Sequence, residues 1–344
     1  MRKFYLLILL IFSCFCIIAC DGEFTGTGTG TGNGGGKTDP DSNKEILDIE
    51  YEMHTILHKY DPLTELEYQY IYIGYYPQTE IKDDKIIEQL EKINTVNERG
   101  YIEYNGHQYL EYKVVYNHKY AQEGQNTNEV FEFGTGYAPD TTHYFLVQPV
   151  AWKVLKSDNA NNTYVIQTEM IIDSRSYHYT NDSYLVNGKS YFASNYEHSE
   201  IRSWLNEDFI NLCFTEEEKQ FLQETVNKNE PLENYITSEM DFSDTTDYCY
   251  LLSHQEVMSK DFGFLNGGVC DSSRYATATD LANAKGLIKH TINGFNTSIW
   301  LTRNSIEADR FAINYVGYDG FATNDFYPDA DNVGIRPCCT IVLE

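Results

Sequence analysis

The chain has 344 residues, of which 42% are hydrophobic and 15% aromatic, so it can bury a sizeable core and does not have the composition of a disordered chain. Its net charge of −27 disfavours binding to nucleic acid or to anionic lipid headgroups, and a charge of this size can also serve solubility alone. Twenty-nine tyrosines suit a surface that binds sugar or protein, although tyrosine also fills β-rich cores.

Residues 1–19 have the pattern of a bacterial lipoprotein signal peptide. A short positive region is followed by an apolar run too short for a membrane span, and a polar residue comes directly after Cys20. The sequence IIAC that ends at Cys20 resembles a lipobox, in which the cysteine receives acyl chains such as palmitate. We therefore predict that a lipid at Cys20 anchors the mature protein to a membrane, outside the cytoplasm. An ordinary signal peptide with cleavage nearby is the alternative.

The chain after the signal divides into three parts. Residues 20–44 contain a Gly/Thr tract that cannot bury a core, which predicts a flexible tether. Apolar residues at helical spacing over Asn43–Tyr60 predict a helix, so residues 45–67 are expected to form a helical stalk or a segment docked on the domain. Residues 68–344 are expected to form one globular domain.

The first half of this domain shows mainly strand patterns. Alternation over Tyr68–Tyr76 and an apolar run over Tyr144–Leu155 each predict a strand, and a further strand is expected over Thr163–Ile172. Asn105-Gly106, between two strand-like runs, is the commonest two-residue hairpin turn. A short amphipathic helix is predicted over Asp83–Val96.

The second half shows several helix starts and a closing sheet. Ser199 with an acidic first turn predicts one helix, Thr215 begins another in the same way, and Ser253 opens a capping box. A further helix is expected over Thr277–Lys285, ended by a glycine. Three β-like runs from Ser298 onward predict a small antiparallel sheet at the end of the chain.

Seven motifs occur in an order that resembles a known family. They are YIGYYPQ (72–78), PVAWKVL (149–155), SEIRSWLN (199–206), LLS (251–253), RYAT (274–277), WLTR (300–303) and GIRP (334–337). Together they are similar to a bacterial extracytoplasmic domain family that is often found on lipoproteins and is described as a domain of unknown function. The resemblance implies a family without an established activity.

The predicted fold is α+β, with short antiparallel strands, two or three helices and long loops. The spacing from Trp300 to Arg336 is also similar to C-type-lectin-like domains, including formylglycine-generating enzymes, and this resemblance implies a C-type-lectin-like arrangement.

Tryptophans and arginines recur together near the starts of elements, and they are the candidate ligand-binding residues. Stacked rings and guanidinium donors could form a platform for a sugar or peptide, or the same side chains could belong to a core. The candidates are Trp204, Trp300, Arg202, Arg303 and Arg336.

Metal, cysteine and histidine patterns support no catalytic assignment, so no catalytic residue and no cofactor are predicted. The acidic loop could hold calcium but fits no EF-hand; its carboxylates are Asp319, Asp325, Asp329 and Asp331. Cys338 and Cys339 are adjacent on a strand and should face opposite sides, so they cannot share one metal. Of five cysteines after Cys20 at least one must remain unpaired, and the sequence does not give a pairing. The histidines near acids are expected to be polar surface residues: His178, His198 and His254.

These patterns favour a lipid-anchored surface protein of the bacterial envelope that binds a glycan or a protein and catalyses no reaction. The alternatives are an extracytoplasmic enzyme on a formylglycine-generating-enzyme-like fold and a structural envelope component without a ligand. No nucleic-acid partner is expected, and the oligomeric state cannot be read from the sequence.

Overall fold

A computed structural model describes most of the chain after the tether. The described residues are 46–47, 49–115, 136–229, 242–265, 270–292, 294–305 and 312–343, with the side chains of residues 324 and 325 excepted. The chain divides into two units, 1–39 and 40–344, and every described residue lies in the second. The predicted signal peptide, Cys20 and the whole of the tether lie outside the described residues.

The fold is mainly β, with 41% of the described residues in strands and 17% in helices. The prediction of an α+β, C-type-lectin-like fold is therefore wrong. The described strands, in chain order, are β1 Leu57–Asp61, β2 Leu66–Glu80, β3 Ile102–Tyr104, β4 His107–Lys113, β5 Thr142–Asp158, β6 Thr163–Thr168, β7 Asp173–Ser174, β8 Ser183–Val186, β9 Lys189–Phe192, β10 Leu222–Gln223, β11 Thr225–Asn227, β12 Thr245–Asp247, β13 Cys249–Tyr250, β14 Lys289–Ile292, β15 Phe295–Ser298, β16 Trp300–Ser305, β17 Ile313–Val316, β18 Ala322–Phe326, β19 Gly334–Ile335 and β20 Cys338–Val342.

The described helices are short, and the longest has seven residues. They are α1 Asp84–Leu90, α2 Glu200–Trp204, α3 Ile210–Cys213, α4 His254–Val257 and α5 Asp280–Ala284. A π-helical turn, Leu205–Phe209, joins α2 to α3, and three 3₁₀ turns lie at Glu218–Phe221, Lys260–Phe262 and Ser272–Arg274. The predicted capping signals are present: Ser199 accepts a hydrogen bond from the amide of Arg202, and Ser253 forms a full capping box with Glu256. A cap specifies where a helix begins but not where it ends, so a correct capping signal is compatible with the short helices observed.

A nine-stranded antiparallel sheet forms the centre of the domain, in the order β1-β2-β5-β6-β20-β10. The hairpin β3–β4 pairs with the first part of β5, and β13 pairs with β20. The two central strands are long, 15 residues in β2 and 17 in β5. The register between them shifts around Gly74 and again between Pro77 and Thr79, which marks two bulges. Because the strands continue through these bulges, they are longer than the sequence pattern predicted.

A second sheet has five strands in the order β18-β17-β16-β19-β7. The predicted closing sheet is confirmed for the antiparallel pair of β16 and β17. The third strand predicted for this sheet, β20, belongs instead to the nine-stranded sheet, and β16 pairs with β19 in parallel. Such an exchange between sheets cannot be read from three alternating runs in sequence.

The predicted helix over Asn43–Tyr60 is wrong for residues 49–60, although residues 46–47 are helical. Met53 forms an isolated bridge to Tyr72, and β1 runs antiparallel to β2 within it. Apolar residues at helical spacing therefore lie along the edge of the main sheet here. The predicted hairpin at Asn105-Gly106 is confirmed: both residues have positive φ, 49° and 80°, as a type I′ turn requires.

The main core lies between the nine-stranded sheet and the α2–α3 segment. Trp152 of β5 is fully buried, stacks on Phe214 at 5.8 Å between ring centroids, and donates from Nε1 to the carbonyl of Ile73 at 2.8 Å. A smaller core under the β3–β4 hairpin includes Leu90 and Leu146. No helix in the described part of the chain combines the length and the apolar character needed to cross a bilayer.

Candidate functional site

A groove runs between the β3–β4 hairpin and neighbouring residues of β2 and β5. Three adjoining surface clefts of about 520, 390 and 340 Å³, each wide open to solvent, make it up, and they share Gln108. Tyr75 lines the two larger clefts and lies where they meet. We call this the Tyr75 groove, and its polar and aromatic lining includes Tyr51, Tyr75, Asn97, Glu98, Gln108 and Gln148.

A bulge at Gly74 directs Tyr75 towards the groove. Gly74 has φ +71°, and its amide donates to Oε1 of the buried Glu218 at 2.9 Å. The next residue but one, Tyr76, is buried and donates to Oδ2 of Asp173 at 2.7 Å, which leaves Tyr75 as the half-exposed ring of the pair. Burial and the Glu218 carboxylate both raise the pKa of Tyr75, so its phenol stays protonated and can donate a hydrogen bond.

The hairpin side of the groove carries two amide side chains held by one carboxylate. Asn97 and Gln108 each donate to Oε1 of Glu103, at 3.0 and 3.2 Å. The Asn97 side-chain oxygen accepts from the amides of Arg99 and Tyr101, both at 3.0 Å, so the segment before β3 is fixed in place. The two amides are therefore oriented before any ligand arrives.

The opposite side is formed by Gln148 of β5 and by Tyr51. The Gln148 side chain accepts from Oγ1 of Thr79 at 2.6 Å and donates to the hydroxyl of Tyr51 at 3.4 Å. The Tyr51 ring meets Tyr72 edge-on, with 4.9 Å between centroids. An aromatic ring and an amide thus face the hairpin across the groove.

The groove presents polar and aromatic side chains to a ligand. Arg99, which lines the largest of the three clefts, donates to the carbonyls of Leu212 and Phe214, at 3.4 and 3.0 Å, and so serves the framework. Amide and hydroxyl groups beside tyrosine rings match the alternating polar and apolar surface of a sugar. Among the residues that the structure describes, no three His, Cys, Asp or Glu side chains could hold a metal ion together.

The predicted tryptophans lie in the core and line none of these three clefts. Trp300 is fully buried, donates from Nε1 to the carbonyl of Arg274 at 3.2 Å, and has the Arg336 guanidinium 4.9 Å from its ring centroid. Trp204 is 6% exposed and has the Arg175 guanidinium 3.7 Å from its ring centroid. Rings covered in this way offer no stacking surface to a sugar, so their placement favours the core interpretation.

The three predicted arginines are likewise used inside the domain. Arg303 makes a bidentate contact with Glu256, at 2.6 and 3.1 Å, and donates to the carbonyl of Leu251. Arg202 is paired with the buried Asp247 at 2.6 Å. Arg336 donates to main-chain carbonyls of residues 168 and 169, and burial lowers its pKa to about 10. Their guanidinium groups hold loops and strands together.

The remaining candidates are the acidic loop and the histidines. In the acidic loop, Oδ1 of Asp319 accepts from the amide of Phe321, and Asp329 is buried. The expectation of surface histidines is wrong for His178 and His254, which are 2% and 8% exposed. Burial lowers the pKa of each to about 4, with the charge of Arg274 adding to the effect at His254, so both are neutral at pH 7.

Sequence reasoning missed the Tyr75 groove, although two of its signals were visible. A glycine inside an alternating strand marks a bulge, and Gly74 stands directly before Tyr75. The Asn105-Gly106 turn indicated the hairpin that carries Gln108. The sequence did not show that this hairpin pairs with the first part of β5, and this pairing creates the groove.

The structure defines a mainly-β domain with a polar, tyrosine-lined groove. Residues 160–343 match the family described as Domain of unknown function (DUF6273), and the chain belongs to that family. The predicted resemblance to an uncharacterised domain family is thus confirmed, although the match begins later than the first two motifs suggested. No curated protein and no solved structure matches the chain.

Proposed function

We propose that this chain is a lipid-anchored protein of the bacterial cell envelope whose domain binds a neutral glycan in the Tyr75 groove without transforming it. The observation that carries the binding proposal is the meeting of two clefts at Tyr75, with oriented amides on both sides. A net charge of −27 repels polyanions, which disfavours an anionic ligand.

The anchoring part of the proposal is supported by the sequence IIAC at Cys20 and by the Gly/Thr tract after it. Several acyl chains on one cysteine would hold the protein on a membrane, since each buried methylene contributes about 0.8 kcal/mol. We expect Cys20→Ser to abolish lipidation, so that the variant leaves the detergent phase in a detergent-partitioning assay or accumulates as a precursor. Unchanged partitioning of the variant would contradict the anchor.

The binding part is tested by calorimetric titration of the full chain, purified in detergent, with neutral hexasaccharides of glucose, mannose and N-acetylglucosamine. At least one should bind, and Tyr75→Ala should weaken it about tenfold, as expected for one stacked ring. Gln108→Ala should weaken binding in the same direction because one oriented amide is lost.

The control is Tyr60→Ala, which removes a 57% exposed tyrosine of β1 that lines none of the three clefts. It should bind like the unchanged protein. Binding of none of the sugars, or equal loss in Tyr60→Ala and Tyr75→Ala, would contradict the proposed site.

A further inference from the structure

Two buried cysteines face each other where β13 pairs with β20 in the nine-stranded sheet. Cys249 of β13 lies directly opposite Cys339 of β20, and their Sγ atoms are 2.8 Å apart. Directly opposed residues of antiparallel strands have Cα atoms about 4.5–5.5 Å apart, which falls within the range of about 4.4–6.8 Å that a disulfide requires. Backbone position and sulfur position therefore both suit a covalent bond.

A side chain from the α2–α3 segment fixes the position of Cys249. Asn206 accepts with Oδ1 from the amides of Tyr248 and Cys249, at 2.9 and 3.2 Å, and donates with Nδ2 to the carbonyl of Cys249 at 2.8 Å. Both main-chain polar groups of Cys249 are thus held by one amide. Strand β13 has only two residues, so its pairing alone fixes its register weakly. The hydrogen bonds from Asn206 therefore help to hold Cys249 opposite Cys339.

The other cysteines are placed less well for pairing. Cys338 neighbours Cys339 in sequence but lies on the opposite face of the strand, and it pairs with Tyr250 in the register of β13 and β20. Cys270 is exposed beside Asp319, with Sγ 3.4 Å from Oδ2. Cys213 is buried in the same hydrophobic core as Cys249 and Cys339, so it is the competitor that an experiment must separate.

We propose that Cys249 and Cys339 form a disulfide bond in the mature protein. Both thiols exchange with an external disulfide: two S–H bonds and the external S–S bond break, and the Cys249–Cys339 bond forms. Two equivalents of the external thiol carry away both protons and both electrons. The supply of such an oxidant rests on the extracytoplasmic location proposed above. Because both sulfurs are fully buried, the exchange occurs while the chain folds.

The bond would join β13 to the last described strand across 90 residues of sequence. Closing a loop of this length restricts the unfolded chain strongly. The oxidised protein should therefore melt roughly 5–10 °C above the reduced protein. It should also resist dithiothreitol until a denaturant opens the core.

The test is oxidative refolding of the full chain in a glutathione redox buffer, followed by thiol titration under denaturing conditions. The unchanged protein, Cys213→Ala and Cys338→Ala should each lose two thiols on oxidation. Cys249→Ala and Cys339→Ala should lose none, and mass spectrometry of the unreduced protein should link the peptides that contain residues 249 and 339. No loss of thiols in the unchanged protein, or a loss of two in Cys249→Ala, would overturn the inference.

A variant of Asn206 gives a second measurement, because Asn206 positions Cys249 and contributes no thiol of its own. Asn206→Ala should lower the equilibrium constant for disulfide formation with glutathione by about fivefold, while its thiols remain intact. The same thiol titration, applied to protein taken directly from cells, separates the two proposals. Oxidation in the refolding buffer with reduced thiols in cells would show that the fold permits the bond, but it would overturn the disulfide in the mature protein together with the extracytoplasmic location.

Discussion

Replacing Trp204 with alanine distinguishes a core tryptophan from a ligand platform. The ring is 6% exposed, lies against Phe209 at 5.2 Å between centroids, and is covered by the Arg175 guanidinium at 3.7 Å. Truncating a buried tryptophan costs about 3–5 kcal/mol. For a domain of this size each kcal/mol lowers the melting temperature by roughly 2 °C, so we expect a fall of about 6–10 °C.

Part of this cost should pass through Arg175. Its guanidinium lies between the Trp204 ring and the buried Asp173, whose Oδ2 is 3.5 Å away. Without the ring, the guanidinium loses the surface that fixes it. A double-mutant cycle of Trp204→Ala with Arg175→Met should therefore give a coupling free energy of about 0.5–2 kcal/mol.

The measurement is thermal unfolding by circular dichroism at one ionic strength. Tyr60→Ala is the matched control, since it removes an exposed tyrosine, and its melting temperature should stay within about 1–2 °C of the unchanged protein. An unchanged melting temperature for Trp204→Ala would refute the core interpretation and restore Trp204 as a platform residue.

Three further predictions concern backbone strain, a buried charge and calcium. Gly74→Ala should lower the free energy of unfolding by about 2–5 kcal/mol, because φ is +71° and a Cβ would lie 2.7 Å from a cysteine sulfur. The control Gly188→Ala has a similar φ of +82° but open space around the added Cβ, so it should cost only about 1–2 kcal/mol. Chemical denaturation measures both values. Asp173→Asn should cost about 3–5 kcal/mol at pH 7, since it leaves the Nζ of Lys285 without the carboxylate it contacts at 2.8 Å. Burial acts to raise the pKa of Asp173, but Lys285 and Arg175 outweigh it and hold the pKa below its usual value, so this stability is present above about pH 4 and is lost as the pH falls through the lowered pKa. Neither a chelator nor millimolar calcium should change the melting temperature, and a rise of several degrees with calcium that Asp331→Asn abolishes would contradict this.

Local features were predicted well because their signals lie within a few residues. The Asn105-Gly106 turn, the Ser199 cap and the Ser253 capping box are each specified by neighbouring side chains and main-chain groups. The hydrogen bonds that confirm them span three residues or fewer. Such interactions do not depend on how distant parts of the chain meet.

The fold class and the groove depend on distant pairings, and there the sequence was insufficient. Strand β5 has a different neighbour along each half of one edge, β4 first and then β6, and no local pattern encodes that exchange. The tryptophan–arginine pairs were visible as a pattern, yet sequence alone could not tell a ring covered by a guanidinium from one open to solvent. Arg336 illustrates this, because its carbonyl partners lie about 168 residues away in the chain.

The long strand β5 has a consequence for fragments of this protein. The family match begins at residue 160, just after β5 ends at Asp158, yet β5 pairs along the whole of β6 inside the match. A recombinant fragment cut at that boundary would leave β6 with an open hydrogen-bonding edge and would remove Trp152 from the core. Exposed edges of this kind recruit strands from other molecules and lead to aggregation. The segment that sequence comparison recognises is therefore smaller than the segment that must be expressed to obtain a folded protein.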